Sequence, residues 1–153
     1  LALHHDFAEP KPYLHVLGLN PHAGESGHFG DEESRLITPA IAAALDHPDL
    51  SDLSGLSIVG PLVPDVAFRH ALYPPPSQSR PSAVVAMYHD QGLIPIKLLD
   101  FDHTVNVTLG LKVVRTSPDH GTAHDIAGQG IARPDSLYAA LRMCIEHTAQ
   151  RAR

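Results

Sequence analysis

The run Met87-Tyr88-His89-Asp90-Gln91-Gly92, followed by Lys97, Asn106 and Arg115, brings four kinds of polar head group into a segment otherwise made of short apolar runs. Imidazole ligates borderline metals, while ammonium and guanidinium are the usual partners of phosphate and carboxylate. Together these types point to a small, anionic, metal-chelating substrate. A second histidine, His22, stands in the Gly-rich segment NPHAGESGHFG. Neither histidine has a sequence-local partner such as the two histidines of HExxH. A shared metal site must therefore be assembled by the fold. The alternative for each is a histidine hydrogen-bonded within its own loop.

Lys97 lies inside the apolar run PIKLL, where a stem lying over apolar surface with its charge in water is the competing reading. Asn106 interrupts a β-branched run, a place that disfavours asparagine unless it is exposed or bonded, so an inward ligand role is open. Arg115 ends the next apolar run, with a surface ion pair as its alternative. Residues 119–130 (DHGTAHDIAGQG) expose backbone N–H groups ahead of a helix start, which suits an anion or a nucleotide. They match neither G-x-G-x-x-G nor a P-loop, and an ordinary turn with a helix cap fits the spacing equally. Cys144 falls on the apolar stripe of the last helix and reads as packing.

The elements that must position these residues follow from periodicity and breakers. Residues 13–19 (YLHVLGL) read as a buried strand and 20–30 as an irregular loop. Asp31 can cap a helix through Leu36, Ile37, Ile41 and Leu45, in which Pro39 either kinks the helix or delays its start. Residues 56–59 form a strand ending at Gly60-Pro61, and 65–72 a short helix. The Pro-rich stretch 73–81 is a surface connection and not a domain boundary. Residues 83–88 (AVVAMY) suit a central strand, and Pro95 leaves the state of 93–99 open. Strands at 105–109 and 113–116, a short helix at 122–127 and a last helix capped by Asp135 or Ser136 complete the chain. The last helix carries Leu137, Ala140, Leu141, Cys144, Ile145 and Thr148 on one stripe. Alternating strands and helices imply a layered α/β fold with a largely parallel sheet.

With 153 residues, 43% hydrophobic and 18% charged, the chain can bury a core and carries no disorder signature. Its formal charge of −6 argues against broad nucleic-acid binding, and no apolar run reaches membrane-spanning length. One cysteine fits a reducing compartment, hence a cytoplasmic location. The start at Leu1 shows no signal-peptide pattern and suggests a fragment.

Read together, GLNPHAGE (18–25), GPLVPD (60–65), AMYHDQG (86–92), VNVTLGL (105–111) and VVRTSPDHGTA (113–123) resemble the 4-hydroxythreonine-4-phosphate dehydrogenase family of pyridoxal phosphate biosynthesis. The resemblance runs from Tyr13 onward and covers the C-terminal half of such an enzyme. It implies an isocitrate/isopropylmalate dehydrogenase-like layered fold, incomplete here. Residues 1–153 would be part of the substrate and metal domain with the C-terminal return segment, without an internal boundary. His22 and His89 match two of the family's three ligands to a divalent metal (zinc, magnesium or cobalt), the third lying upstream. Lys97, Asn106 and Arg115 match its substrate-binding residues, and Asp65 matches an aspartate near the same site. Residues 120–134 are similar to the cofactor loop of the related dehydrogenases. That similarity implies His120, Gly121, Thr122, Ala123 and Asp125 as contacts to NAD or NADP. No proton-abstracting base can be named.

The implied partners are a small phosphorylated hydroxy amino acid and a second copy, in a homodimer with shared active sites. Nucleic acid and membrane are not among them. Two alternatives share the motifs. One is a paralogue acting on a four-carbon sugar-acid phosphate such as threonate or erythronate 4-phosphate. The other is an inactive fragment serving as a dimerisation or metal-binding module. The sequence departs from the family pattern at 73–81 and at 98–104 (LLDFDHT).

Overall fold

The computed structural model describes residues 1–51 and 53–152. Ten regular elements follow in chain order. They are α1 (Ala2–Phe7), β1 (Tyr13–Leu17), α2 (Thr38–Leu45), β2 (Ser57–Leu62), α3 (Pro64–Leu72), β3 (Ala83–Val85), α4 (His89–Leu99), β4 (Val105–Thr108), β5 (Arg115–Pro118) and α5 (Asp135–Arg151). Two compact units divide the chain: Glu9–Pro95 with Leu1 and Leu3, and His4–Ala8 with Ala2 and everything from Ile96 onward. The division falls inside α4, next to Pro95, where the sequence reading set no boundary.

In the first unit a parallel sheet has the order β2-β1-β3. The central strand β1 carries the deepest apolar burial, with Leu17 at 0% and Val16 at 8% exposure, as expected of a strand flanked on both sides by parallel neighbours. Strand β2 runs past the predicted stop at Gly60-Pro61. It accommodates that pair as a bulge, the register passing from His15 opposite Val59 to Leu17 opposite Leu62. Glycine is required there, because a Cβ on Gly60 would lie 2.5 Å from the Val16 carbonyl oxygen.

Pro39 does not delay the start of its helix, since the Arg35 amide already donates to the Asp31 carbonyl at 2.8 Å and the chain is helical from Glu32 onward. The chain forms a wide π-type turn over Glu33–Ile37, and Pro39 sits in the first turn of α2. Lacking an N–H, proline cannot bond the preceding turn, and the wider turn just ahead of Pro39 is where the helix departs from regular α geometry. Ile37, Ala40, Ile41 and Ala44 then face Leu14, Val16 and Ile58 of the sheet across an apolar trough of about 540 Å³.

In the second unit, β4 and β5 form an antiparallel pair, with Val105 opposite Pro118 and Thr108 opposite Arg115. This corrects the expectation that the later strands extend one parallel sheet. They are joined by the short link 109–114, too short for the crossover a parallel pair needs. The stripe expected on α5 is corrected in part, Ala140 being buried as expected. Leu137, Leu141 and Ile145 are 48%, 52% and 71% exposed, whereas Ser136, Ala140 and His147 are buried. α5 meets β5 through small groups, Thr116 Oγ1 donating to the Ala140 carbonyl at 2.8 Å. The ring of His147 packs edge-on against Phe7 of α1. Ser136 does not cap α5 but accepts from the Asp119 amide and donates to the Thr104 carbonyl. The helix expected over 122–127 shrinks to one 3₁₀ turn, His124–Ile126, because Ala123 takes a left-handed φ of 50°. Helix α1 has no counterpart in the sequence reading. No helix among the described residues is long and apolar enough to cross a membrane.

Candidate functional site

His22 rides on a left-handed turn. His22, Ala23, Gly24, Glu25 and Ser26 have φ of 52°, 52°, 83°, 42° and 58°. Four of these are not glycine, and such backbone persists only where surrounding structure over-determines it. The determinant is Glu33, 5% exposed. Its Oε1 accepts from the amides of Leu19 and Asn20 at 2.8 and 2.7 Å, and its Oε2 accepts from Asn20 Nδ2 at 2.9 Å. The loop closes directly on this carboxylate. A Cβ on Gly24 would lie 2.8 Å from Glu33 Oε2, and one on Gly18 would lie 3.0 Å from Oε1. Burial pushes the Glu33 carboxyl upward, but the hydrogen bonds from the Asn20 side chain and from backbone amides outweigh it and hold the group below its ordinary value.

His89 opens α4, directly after the turn that follows β3. Its Nδ1 is 2.7 Å from Asp90 Oδ1, and His22 Nδ1 is 3.4 Å from Glu25 Oε2. A carboxylate on one ring nitrogen orients a histidine and raises the basicity of the other nitrogen, the arrangement that ligating histidines use. Both side chains are exposed, and Nε2 of each carries no hydrogen bond among the described residues. The donor chemistry therefore fits a divalent cation. Among the described residues no group of three or more His, Cys, Asp or Glu side chains is gathered as a complete metal site. Asp65, in the same unit, stands exposed in the first turn of α3, a helix that packs against β1 and the His22 turn.

The second unit holds the other predicted residues. Lys97, in the last turn of α4, reaches Asp119 Oδ2 at 3.1 Å and lies 5.5 Å from the centre of the Phe101 ring. Asn106 is paired with Ser117 and Thr108 with Arg115, so these four residues share one face of the hairpin, since side chains alternate along a strand. Thr116, on the other face, bonds α5. Asn106 and Arg115 are both exposed, and Arg115 donates to Thr108 Oγ1 at 2.8 Å. His120, Gly121 and Ala123 line a cavity of about 290 Å³ together with Ile126. Phe101 and the bidentate pair Asp102–Arg133, at 2.7 and 2.8 Å, also line it. Thr122 and Asp125 are exposed beside it, and the Asp125 carbonyl accepts from Gln129. The two histidines and Asp65 thus lie in one unit, and Lys97, Arg115, Asn106 and the Gly-rich loop in the other.

Sequence reasoning passed over Glu33, Gln91 and Asp119. A signal existed for Glu33, which precedes Ile37 and Ile41 at steps of four. A carboxylate in line with the apolar face of a helix is placed for burial. Asp119 had no such signal, because its pairing with Lys97 joins residues far apart in sequence.

The chain is similar to known proteins over nearly its whole length. Residues 1–144 match the model of the family described as pyridoxal phosphate biosynthetic protein PdxA. A protein of Erythrobacter litoralis named 4-hydroxythreonine-4-phosphate dehydrogenase is 52% identical over 151 residues, covering 99% of this chain and 41% of the relative. One of the same name from Geobacter metallireducens is 51% identical, covering 93% of this chain and 38% of the relative. The crystal structure of 4-hydroxythreonine-4-phosphate dehydrogenase from Klebsiella pneumoniae superposes with a TM-score of 0.71 at 44% identity, over 91% of this chain and 39% of that one. The chain spans about two fifths of the length of the curated relatives it matches. Its mixed α/β architecture with a parallel sheet is that of these structures, and the chain belongs to the PdxA family of pyridoxal phosphate biosynthetic proteins.

Proposed function

We propose that this chain is the metal- and substrate-binding C-terminal portion of an NAD(P)-dependent 4-hydroxythreonine-4-phosphate dehydrogenase. The reaction oxidises the secondary alcohol of 4-phosphohydroxy-L-threonine to a β-keto acid, which loses carbon dioxide to give 3-amino-2-oxopropyl phosphate. The observation that carries this reading is the pair of exposed imidazoles, His22 and His89, each with a carboxylate near its Nδ1, within one compact unit of a chain so similar to the named dehydrogenases. An isocitrate/isopropylmalate dehydrogenase-like layering, a cytoplasmic location and a homodimer with shared active sites belong to the same proposal. The exposed apolar stripe of α5 is compatible with an assembly of copies.

His22 and His89 would hold the divalent cation through Nε2, with the third ligand supplied from outside this chain. When bound, the cation would supply Lewis acidity to the substrate alcohol and the nicotinamide a hydride acceptor. The chain's own residues bind and orient. Lys97 and Arg115 would offset the phosphate and carboxylate charges, Arg115 with a fork matched to either group. Asn106, on the same hairpin face as Arg115, would align a polar substrate group, and Asp65 would contribute a further polar contact. The loop from His120 to Asp125, at the 290 Å³ cavity, would receive the dinucleotide.

The test is NAD(P) reduction by protein carrying this chain, with 4-phosphohydroxy-L-threonine and with threonate 4-phosphate, each with and without chelator. Chelator-sensitive turnover of the amino acid, abolished in His89→Ala together with bound metal, is expected. Preference for the sugar acid would transfer the reading to the paralogue. Unchanged metal content and turnover in His89→Ala would dismiss it.

A further inference from the structure

The two imidazole-bearing segments are far apart in sequence, yet one side chain touches both. Gln91 accepts from the Met87 amide through Oε1 at 2.7 Å and donates through Nε2 to the Gly18 carbonyl at 2.8 Å. The first bond alone is an ordinary helix-start device, in which a Gln in the first turn reaches back to an amide ahead of the helix. The second has no capping purpose. It ties the turn that presents His89 to the residue from which the His22 loop departs.

Gly18 is otherwise locked. Its amide donates to the Leu62 carbonyl at 2.8 Å, and the next two amides are held by Glu33. Bonds therefore run without a gap from the Met87 turn through Gln91 and Gly18 to the carboxylate that sets the left-handed His22 turn. Removing the Gln91 carboxamide leaves β1, β2 and β3 intact and breaks only this link.

We propose that Gln91 is a positioning residue that holds His89 in register with His22, and so sets the geometry in which a divalent cation meets both rings. The inference rests on the two histidines being ligands. Partners that orient ligands typically change metal affinity by about 10- to 100-fold when removed.

The test uses the full chain with Co(II) alone as probe. Histidine ring NMR resonances and Co(II) affinity are measured for the unmodified protein, Gln91→Glu, Gln91→Met and His89→Ala. Gln91→Glu retains an acceptor for Met87 but sets a carboxylate against the Gly18 carbonyl, and Gln91→Met removes both bonds at similar length. The expected result is a shift of the His22 and His89 ring signals in the metal-free variants, Co(II) affinity about tenfold or more weaker, and an unchanged thermal midpoint. Wild-type ring signals and affinity in both Gln91 variants would overturn the positioning role while leaving the ligand assignment standing. Co(II) binding that is equal in His89→Ala and the unmodified protein would remove the ligand assignment, and this inference with it. If Gln91→Met lowers the midpoint, Gln91→Glu decides.

Discussion

Replacing Glu33 by alanine should loosen the His22 turn before it disturbs anything else. The carboxylate serves three donors: the amides of Leu19 and Asn20 and the Asn20 side chain. Asn20 Nδ2 keeps a second acceptor, Glu32 Oε2 at 2.7 Å, so two amides are stranded. A buried donor left without a partner costs about 1–3 kcal/mol. Partial water access at Leu19, 40% exposed, lowers that half of the sum. The expected loss is about 2–4 kcal/mol. Strain points the same way, since each non-glycine residue held in the left-handed region costs about 1–3 kcal/mol and needs the anchor to stay there. Urea unfolding read by circular dichroism measures the loss. At a slope of about 2 kcal/mol per molar urea, the midpoint should fall by about 1–2 M. Amide hydrogen exchange at Leu19 and Asn20 should quicken more than at Val16. A loss below about 0.5 kcal/mol with unchanged protection at both amides would refute the account of Glu33 as the anchor.

Gly24→Ala should destabilise the same turn by about 1–3 kcal/mol, because φ is 83° and the new methyl would meet Glu33 Oε2 and the Gly30 carbonyl. Equal urea midpoints for the variant and the unmodified protein would count against the turn geometry. His15 makes stability depend on pH. It is 5% exposed, and burial, then the nearby His70 charge, depress its pKa below the ordinary 6.5. The unfolded chain thus takes up the proton first. The stability contributed by neutral His15 is complete above pH 6.5 and is lost as the pH falls through the folded value. His15→Leu should flatten the unfolding midpoint across that window, and it also removes the unpartnered buried Nδ1. A slope as steep as wild type would place the pH dependence elsewhere. Arg115→Ala should raise KM for the phosphorylated acid at least tenfold, the loss of one charge-assisted contact, and a normal KM would contradict its substrate role.

What the residues alone determined is local. The apolar run at 13–17 specified a buried strand, and Asp31 marked where a helical run begins, because both depend on chemistry within a few residues. The motifs around His22 and His89 were legible for the same reason, each being a short string, although only the family resemblance implied that their histidines are ligands. Pairing was not local. Whether β4 and β5 joined a parallel sheet or each other depended on the link between them and on which surfaces met, and they formed an antiparallel pair of their own. The apolar spacing of α5 was read correctly, but its packing face was set by what β5 and α1 offered, and Ser136, Ala140 and His147 were buried in place of the leucines. Tertiary structure alone decided that Glu33 lies under the His22 turn, that Gln91 reaches Gly18 and that Asp119 meets Lys97. Each of these contacts joins residues whose separation along the chain leaves no periodic trace, and only folding brings such partners within hydrogen-bonding range.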